Sequence, residues 1–223
     1  MPWQAITPAL LALLAAGLLT AATGPILRRL PIPPDEPDAR PYAELDSRTF
    51  RITVALTTLV GGLIAYYLTD PRLWLAWTAL VLTGPLLGLI DLHTGLLPLR
   101  LNYVGLGIAV AGAGLAAWLT GNPGLLLWAG AGGLGGFALF WLVWYVSGQR
   151  MGFGDVRLAA VLGVVAGATS IPLLLWAFLL GSLVGVVWGL IAARGRGTPY
   201  PYGPSMLLGP PLALIAAQFV GFL

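Results

Sequence analysis

Apolar residues along this chain fall into eight long runs, at roughly 3–27, 51–69, 73–90, 101–119, 124–147, 156–169, 172–193 and 204–223. Most of them approach the roughly 20 residues that a membrane-spanning helix needs. Turn-forming clusters punctuate the runs. Asp70-Pro71-Arg72 separates the second from the third, Gly121-Asn122-Pro123 the fourth from the fifth, and Ser170-Ile171-Pro172 the sixth from the seventh. The pattern predicts an all-α polytopic membrane protein with about eight transmembrane helices. Residues 1–27 read as a first transmembrane helix, 28–50 as a cytoplasmic proline-rich loop, and 51–223 as a seven-helix core. The first run has no basic residue before it, and Arg28 and Arg29 follow it. It therefore reads as a retained helix rather than a cleaved signal segment.

The sixth run is short. Residues 156–169 would rise only about 21 Å at 1.5 Å per residue, against a hydrocarbon core of about 30 Å. If its outer end reaches the far interface, its inner end lies below the cytoplasmic surface. Gly148 to Gly154 would then dip inward as irregular backbone, which is tolerated only under cover of protein or beside a water-filled cavity.

Composition agrees with the pattern. Hydrophobic residues make up 58% and charged residues 9%, where a soluble domain would be about a quarter charged. Mean hydropathy is +0.90. The partner that this surface calls for is lipid, not nucleic acid. There is no cysteine, so a disulfide, a thiolate nucleophile and a cysteine-ligated zinc are excluded. A single histidine, His93, excludes a multi-histidine metal site, so no metal ligands are assigned.

The arginines orient the chain. Arg28, Arg29, Arg40, Arg48, Arg51, Arg100, Arg150, Arg157, Arg194 and Arg196 fall after odd-numbered runs, and only Arg72 falls on the other side. Ten against one is a strong positive-inside bias. It predicts an inner-membrane protein with both termini outside. Repeats of glycine four residues apart, at Gly132 and Gly136, Gly163 and Gly167, and Gly181, Gly185 and Gly189, predict close helix packing.

Outside residues 28–51 the chain has three acidic residues, Asp70, Asp91 and Asp155. Carboxylates at membrane depth are costly and are usually retained for a task. Asp91 closes the third run, and Asp155 opens the sixth. Both fall on the arginine-rich side. Each also has a plain structural reading: Asp155 as the N-cap of its helix, Asp91 as a solvated residue just past a helix end. Asp70, beside Pro71 on the opposite side, carries no functional expectation. His93 reads as a polar loop residue.

The surroundings of the two aspartates resemble a known family. Gly152-Phe153-Gly154-Asp155-Val156-Arg157-Leu158 resembles the GxGD motif of intramembrane aspartyl proteases, and most closely that of type IV prepilin peptidases. Arg157 stands where that family has a basic residue. Leu89-Ile90-Asp91-Leu92-His93-Thr94-Gly95-Leu96-Leu97-Pro98 is similar to the family's other catalytic-aspartate segment. Pro201-Tyr202-Gly203-Pro204 is similar to a proline–aromatic–Gly–Pro segment near its end. The three matches occur in the family's order and extend over about residues 51–223. The resemblance implies Asp91 and Asp155 as the catalytic pair, with Gly152, Gly154, Arg157, Pro98 and Pro204 as supporting or substrate-binding positions. The implied substrate is a type IV prepilin or pseudopilin: a basic leader, then a hydrophobic helix.

Carboxylate chemistry supplies the expected mechanism. Two close carboxylates in a low-dielectric site share a proton. One then takes a proton from water while the other polarises the scissile carbonyl. Glycines and prolines near both motifs would help open a lateral path for the substrate. The chain departs from the family in two places. Leu99 stands where a second acidic residue often follows the Leu-Pro. The loop Leu30-Pro31-Ile32-Pro33-Pro34-Asp35-Glu36-Pro37 lacks the four-cysteine zinc insertion of many bacterial members and reads as a semi-rigid tether. Its absence argues against S-adenosylmethionine as a cofactor and against methyl transfer. The competing class is a non-enzymatic membrane component, a proton- or cation-linked transporter or a pilus-assembly scaffold.

Overall fold

The computed structural model describes residues 2–33, 36, 39–195 and 201–221, with backbone alone at 2–5 and 193–195. Pro34, Asp35 and Pro37 of the tether and Arg196 lie outside the described residues. Eight α-helices follow in order: α1 Pro2–Arg29, α2 Arg48–Leu68, α3 Trp74–Thr94, α4 Leu99–Thr120, α5 Gly124–Val146, α6 Phe153–Thr169, α7 Ile171–Gly195 and α8 Gly203–Val220. Among the described residues there is no strand. Seven of the helices are long and apolar enough to cross a membrane, and the chain is a multi-pass membrane protein. The exception is α6, at 17 residues about 25 Å long by helical rise.

Small residues set the packing. On α5, a Cβ at Gly136 would lie 2.7 Å from the Ala159 carbonyl oxygen, and one at Gly132 would run into the Gly163 carbonyl oxygen. Gly167 on α6 comes equally close to α5 at Trp128. With no side chains between them, the two backbones approach closely. In the α7 stripe, Gly181 backs onto Ser205 and Met206, and Gly185 takes the ring of Tyr202. Gly189 departs from the expected stripe, because nothing lies within 4 Å of a Cβ placed there.

Two boundaries differ from the hydropathy reading, and both concern the acidic residues. α3 continues a turn past residue 90 and takes Asp91 inside it. It stops at Gly95, whose left-handed φ of 69° lets its N–H close onto the Asp91 carbonyl. Apolarity stops before this helix does, because its last turn carries His93 and Thr94. α6 starts at Phe153, so irregular backbone is confined to residues 147–152, and Gly154 is already helical. Asp155 is therefore not the N-cap. Gly152 occupies that place, with no side-chain cap.

The loop before α2 is more than a tether. Tyr42–Leu45 forms a 3₁₀ turn, and Tyr42 and Leu45 are buried against the bundle. Asp46 fastens this turn: it accepts from Arg51 Nε at 2.6 Å and Nη2 at 2.9 Å, and Arg28 stands 3.5 Å away. The hydrogen bond from Arg51 holds the Asp46 carboxyl below its ordinary value. A lowered carboxylate pKa means that the fastening is complete above the ordinary carboxylate range of about 4 and is lost as pH falls through the lowered value. Asp46→Asn should therefore speed amide hydrogen exchange over residues 42–47 at neutral pH. The unsubstituted protein should show the same loosening only in acid.

Candidate active site

Asp91 and Asp155 stand at one level because two antiparallel helices are tied at equal distances from them. Near the opposite end of the bundle, Trp77 Nε1 of α3 donates to Thr169 Oγ1 of α6 at 3.1 Å. Asp91 lies 14 residues along α3 from Trp77, and Asp155 lies 14 residues along α6 from Thr169. Each therefore stands about 21 Å from the tie by helical rise, and both carboxylates arrive at one level. They lie within electrostatic reach of each other. Several arginines gather at the same end of the bundle. Arg100 at the start of α4 donates to the Arg29 carbonyl at the end of α1 at 3.1 Å, and Arg51 and Arg28 meet at Asp46.

Both aspartates are buried, with 4% of Asp91 and 6% of Asp155 exposed. This rules out the solvated reading of Asp91. Asp91 Oδ2 accepts a hydrogen bond from the backbone N–H of Gly203 at 3.0 Å. Asp155 sits in the first turn of α6, where a negative charge faces the positive end of the helix dipole. Its Oδ1 is buried without a hydrogen-bond partner. Buried polar oxygens are nearly always satisfied, so one left open beside a second carboxylate is unusual.

Gly203 holds this arrangement. It is the first residue of α8, and a Cβ there would lie 2.7 Å from Asp91 Oδ2 and 3.3 Å from Cγ. Only glycine brings the N–H so near. Tyr202 fixes its approach: the ring fills the gap at Gly185 on α7, and the hydroxyl donates to Ser182 Oγ at 3.2 Å. Leu97 bridges the two motifs. A Cβ at Gly154 would lie 2.6 Å from Leu97 Cβ, and one at Gly203 would lie 3.4 Å from Leu97 Cδ1. Gly203 and Leu97 both lie in the stretches that carry the family resemblance, but residue type alone did not single them out. The signal was available for Gly203, a glycine between an aromatic residue and a helix-starting proline.

The other expected positions separate into inside and outside. Gly154 is packed under Leu97, and Pro98 is buried at the N-cap of α4. Pro204 occupies the first turn of α8, where a missing N–H costs nothing. Gly152 is exposed, and a Cβ there would meet Asp155 Oδ2 only at 3.7 Å. Arg157 does not pair with either aspartate. Its guanidinium lies 4.7 Å over the Phe153 ring, which meets Trp144 edge-on at 5.1 Å. His93 is exposed, bonded through Nδ1 to the Leu89 carbonyl and set edge-on to Phe50. Asp70 caps a short turn by accepting from Arg72 N–H at 2.8 Å, a structural role. Among the described residues, no three of His, Cys, Asp and Glu gather where they could hold a metal ion.

Residues 75–190 match the model of the type IV leader peptidase family, a stretch that includes both aspartates. The chain is 37% identical over 183 residues to a prepilin leader peptidase/N-methyltransferase of Pseudomonas aeruginosa, covering 74% of this chain and 60% of that protein. A protein of the same description from Stutzerimonas stutzeri is 34% identical over 179 residues, covering 76% and 59%. One from Xanthomonas campestris is 32% identical over 143 residues, covering 60% and 48%. The chain thus spans between about half and three-fifths of the length of these relatives. No solved structure matches it. A family model matched over half of the chain, across both buried carboxylates, and relatives identical at a third of positions over three-quarters of it place this protein in the type IV leader peptidase family.

Proposed function

We propose that this protein is an intramembrane aspartyl endopeptidase that removes the leader of type IV prepilins or pseudopilins. The observation that carries the proposal is the buried pair on α3 and α6, with one carboxylate oxygen left unpartnered. The pair shares one proton. The ionised carboxylate takes a proton from water, and the resulting hydroxide attacks the scissile carbonyl while the protonated partner donates to its oxygen. Collapse of the tetrahedral intermediate returns a proton to the departing amine. Gly203 N–H fixes Asp91 in place, and the open Oδ1 of Asp155 is the free position for water or the shared proton. The dyad titrates as a unit, so base and acid are roles of the pair. The arginine bias supports placement in the inner membrane with both termini outside and the pair near the cytoplasmic face.

The direct test is incubation of the purified protein in detergent with a panel of tagged prepilins. Appearance of the mature chain with its new N-terminus is the expected result, and intact precursor across the whole panel would overturn the proposal. The chemistry needs no metal, so chelator should leave the cleavage rate unchanged. A fall that zinc or another divalent ion restores would be the contrary result.

Methyl transfer is the second activity in the relatives' name. This chain has no cysteine for the zinc insertion, and the products should carry an unmethylated N-terminus when S-adenosylmethionine is supplied. Mass spectrometry of the mature pilin decides it. One added methyl group, absent from control membranes, would show that the second activity survives without the insertion.

A further inference from the structure

Asn102 is a buried polar side chain that the packing of the bundle does not account for. It lies at the end of the first turn of α4, in a span long enough to cross a membrane, and 2% of it is exposed. Neither its Oδ1 nor its Nδ2 has a hydrogen-bond partner, and among the described residues it alone leaves two buried side-chain polar atoms open. An asparagine in a spanning helix ordinarily bonds across to a neighbouring helix, and buried amides are nearly always satisfied. Thr83, on the facing stretch of α3, is already engaged: its hydroxyl donates to the Ala79 carbonyl at 2.7 Å.

The packing turns Asn102 toward the carboxylates. A Cβ at Gly105 would lie 2.9 Å from Thr83 Oγ1 of α3 and 3.5 Å from Val161 Cγ1 of α6. That face of α4 therefore looks into the gap between the two helices that carry the pair. Asn102, three residues earlier, is on the same face. α4 and α6 run the same way, because Leu97 just before α4 covers Gly154 at the start of α6, while Gly105 meets Val161 further along. Back from that level, Asp155 is six residues along α6 and Asn102 three along α4, about 9 and about 4.5 Å by helical rise. Asn102 thus stands less than one turn deeper in the bundle than Asp155, and its side chain leans toward the start of α4, back toward the pair. Asp155 offers the matching atom. Its Oδ2 lies on the side of the exposed Gly152, and its buried Oδ1 is the oxygen without a partner.

We propose that Asn102 is a positioning residue for the dyad, its amide and Asp155 Oδ1 holding one buried water between them. The inference rests on the peptidase reading and adds what sets Asp155 in place. Buried waters are kept where several polar groups surround them, and a bridging water carries a hydrogen bond across a gap too wide for direct contact. Here the water accepts from Asn102 Nδ2 and donates to Asp155 Oδ1. The bond fixes the rotation of the Asp155 carboxylate and leaves Oδ2 to act on the substrate. Gly203 N–H does the same for Asp91 by bonding its Oδ2. Each carboxylate then has one oxygen held by the scaffold and one left for the reaction.

Two measurements test this. Asn102→Leu keeps the shape and removes both polar atoms. It should lower kcat for prepilin cleavage by about tenfold to a hundredfold with KM unchanged, the scale of a misplaced reacting group. Asn102→Thr returns a donor and an acceptor in one hydroxyl and should recover kcat to within about threefold of the unsubstituted protein. The second measurement needs no cleavage. The chain has two asparagines, Asn102 and the exposed Asn122, so isotope labelling of asparagine side-chain nitrogen gives one resonance for each. The Asn102 amide should show a cross-peak to a slowly exchanging water and should shift on Asp155→Ala. The Asn122 amide should do neither. An unchanged kcat in Asn102→Leu, equal losses in the Leu and Thr variants, or an Asn102 amide indifferent to Asp155→Ala would overturn the proposal. If the unsubstituted protein cuts no prepilin while the Asn102 amide responds to Asp155→Ala, the water site stands and the peptidase reading falls.

Discussion

Asp91→Asn and Asp155→Asn should each slow leader cleavage by a factor on the order of a thousand or more, the upper part of the range that a positioned acid or base contributes. Asparagine keeps the shape of aspartate and much of its hydrogen bonding, so what is lost is the shared proton. The double variant should be no slower than either single one, because residues that act as a unit are not additive. Stability should move the other way. A pair that shares one proton still keeps one negative charge buried, and Asp155 Oδ1 has no protein partner to compensate. Replacing either one removes that buried charge, so the thermal midpoint should hold or rise. This separates chemistry from scaffolding: a structural carboxylate would lose stability on substitution, whereas one kept for catalysis loses rate and gains stability. Wild-type cleavage by either variant would sink the aspartyl mechanism, and so would a loss of activity fully explained by unfolding. Asp70→Asn, at a turn on the far side, should leave the rate alone.

Much of this architecture was legible in one sequence, for reasons that can be named. The bilayer imposes length and apolarity on each span, so the eight helices could be read from hydropathy to within a few residues. The arginines grouped one set of helix ends, and the structure brings several of those arginines to the end that holds Asp91 and Asp155. What hydropathy could not give was where a helix ends once its residues turn polar. Asp91, His93 and Thr94 looked like the start of a loop, yet the helical ladder persists to Gly95 because nothing before that glycine breaks it. Likewise Asp155 looked like a cap, because an acidic residue before an apolar run usually is one. The helix in fact begins two residues earlier, at Phe153.

The site itself was legible in its two carboxylates and illegible in its supports. Equal spacing from Trp77 to Asp91 and from Thr169 to Asp155 fixes a common depth, but nothing in the sequence says that this tryptophan and this threonine meet. Arg157 stands two places after Asp155, a spacing at which side chains on a helix do not face each other. Its guanidinium stacks on Phe153 instead. The tie from Trp77 to Thr169 depends on long-range packing, whereas the stack of Arg157 on Phe153 is an (i, i+4) contact within one helix.

The supports make a sharper test than the carboxylates do, because they order the glycines in a way the motif does not. Gly203→Ala should reduce kcat about a hundredfold with KM little changed, since displacing a reacting group by about 1 Å can cost that much. The added methyl group would sit 2.7 Å from Asp91 Oδ2, so either the carboxylate swings away or the start of α8 backs off and the 3.0 Å bond from Gly203 N–H is lost. Gly154→Ala should be comparably damaging, because its methyl group would meet Leu97 Cβ at 2.6 Å, and Leu97 packs against both motifs. Gly152→Ala is the contrast. Gly152 is exposed with an ordinary φ of −64°, and its methyl group would make only van der Waals contact with Asp155 at 3.7 Å. A surface change of that sort is usually worth less than about 0.5 kcal/mol, or roughly twofold in rate. Cleavage kinetics of the three alanine variants, each checked for an unchanged thermal midpoint, therefore give a ranking. If Gly152→Ala proves the most damaging and Gly203→Ala the least, the first glycine of the motif acts directly on substrate, and the hydrogen bond from α8 to Asp91 is dispensable.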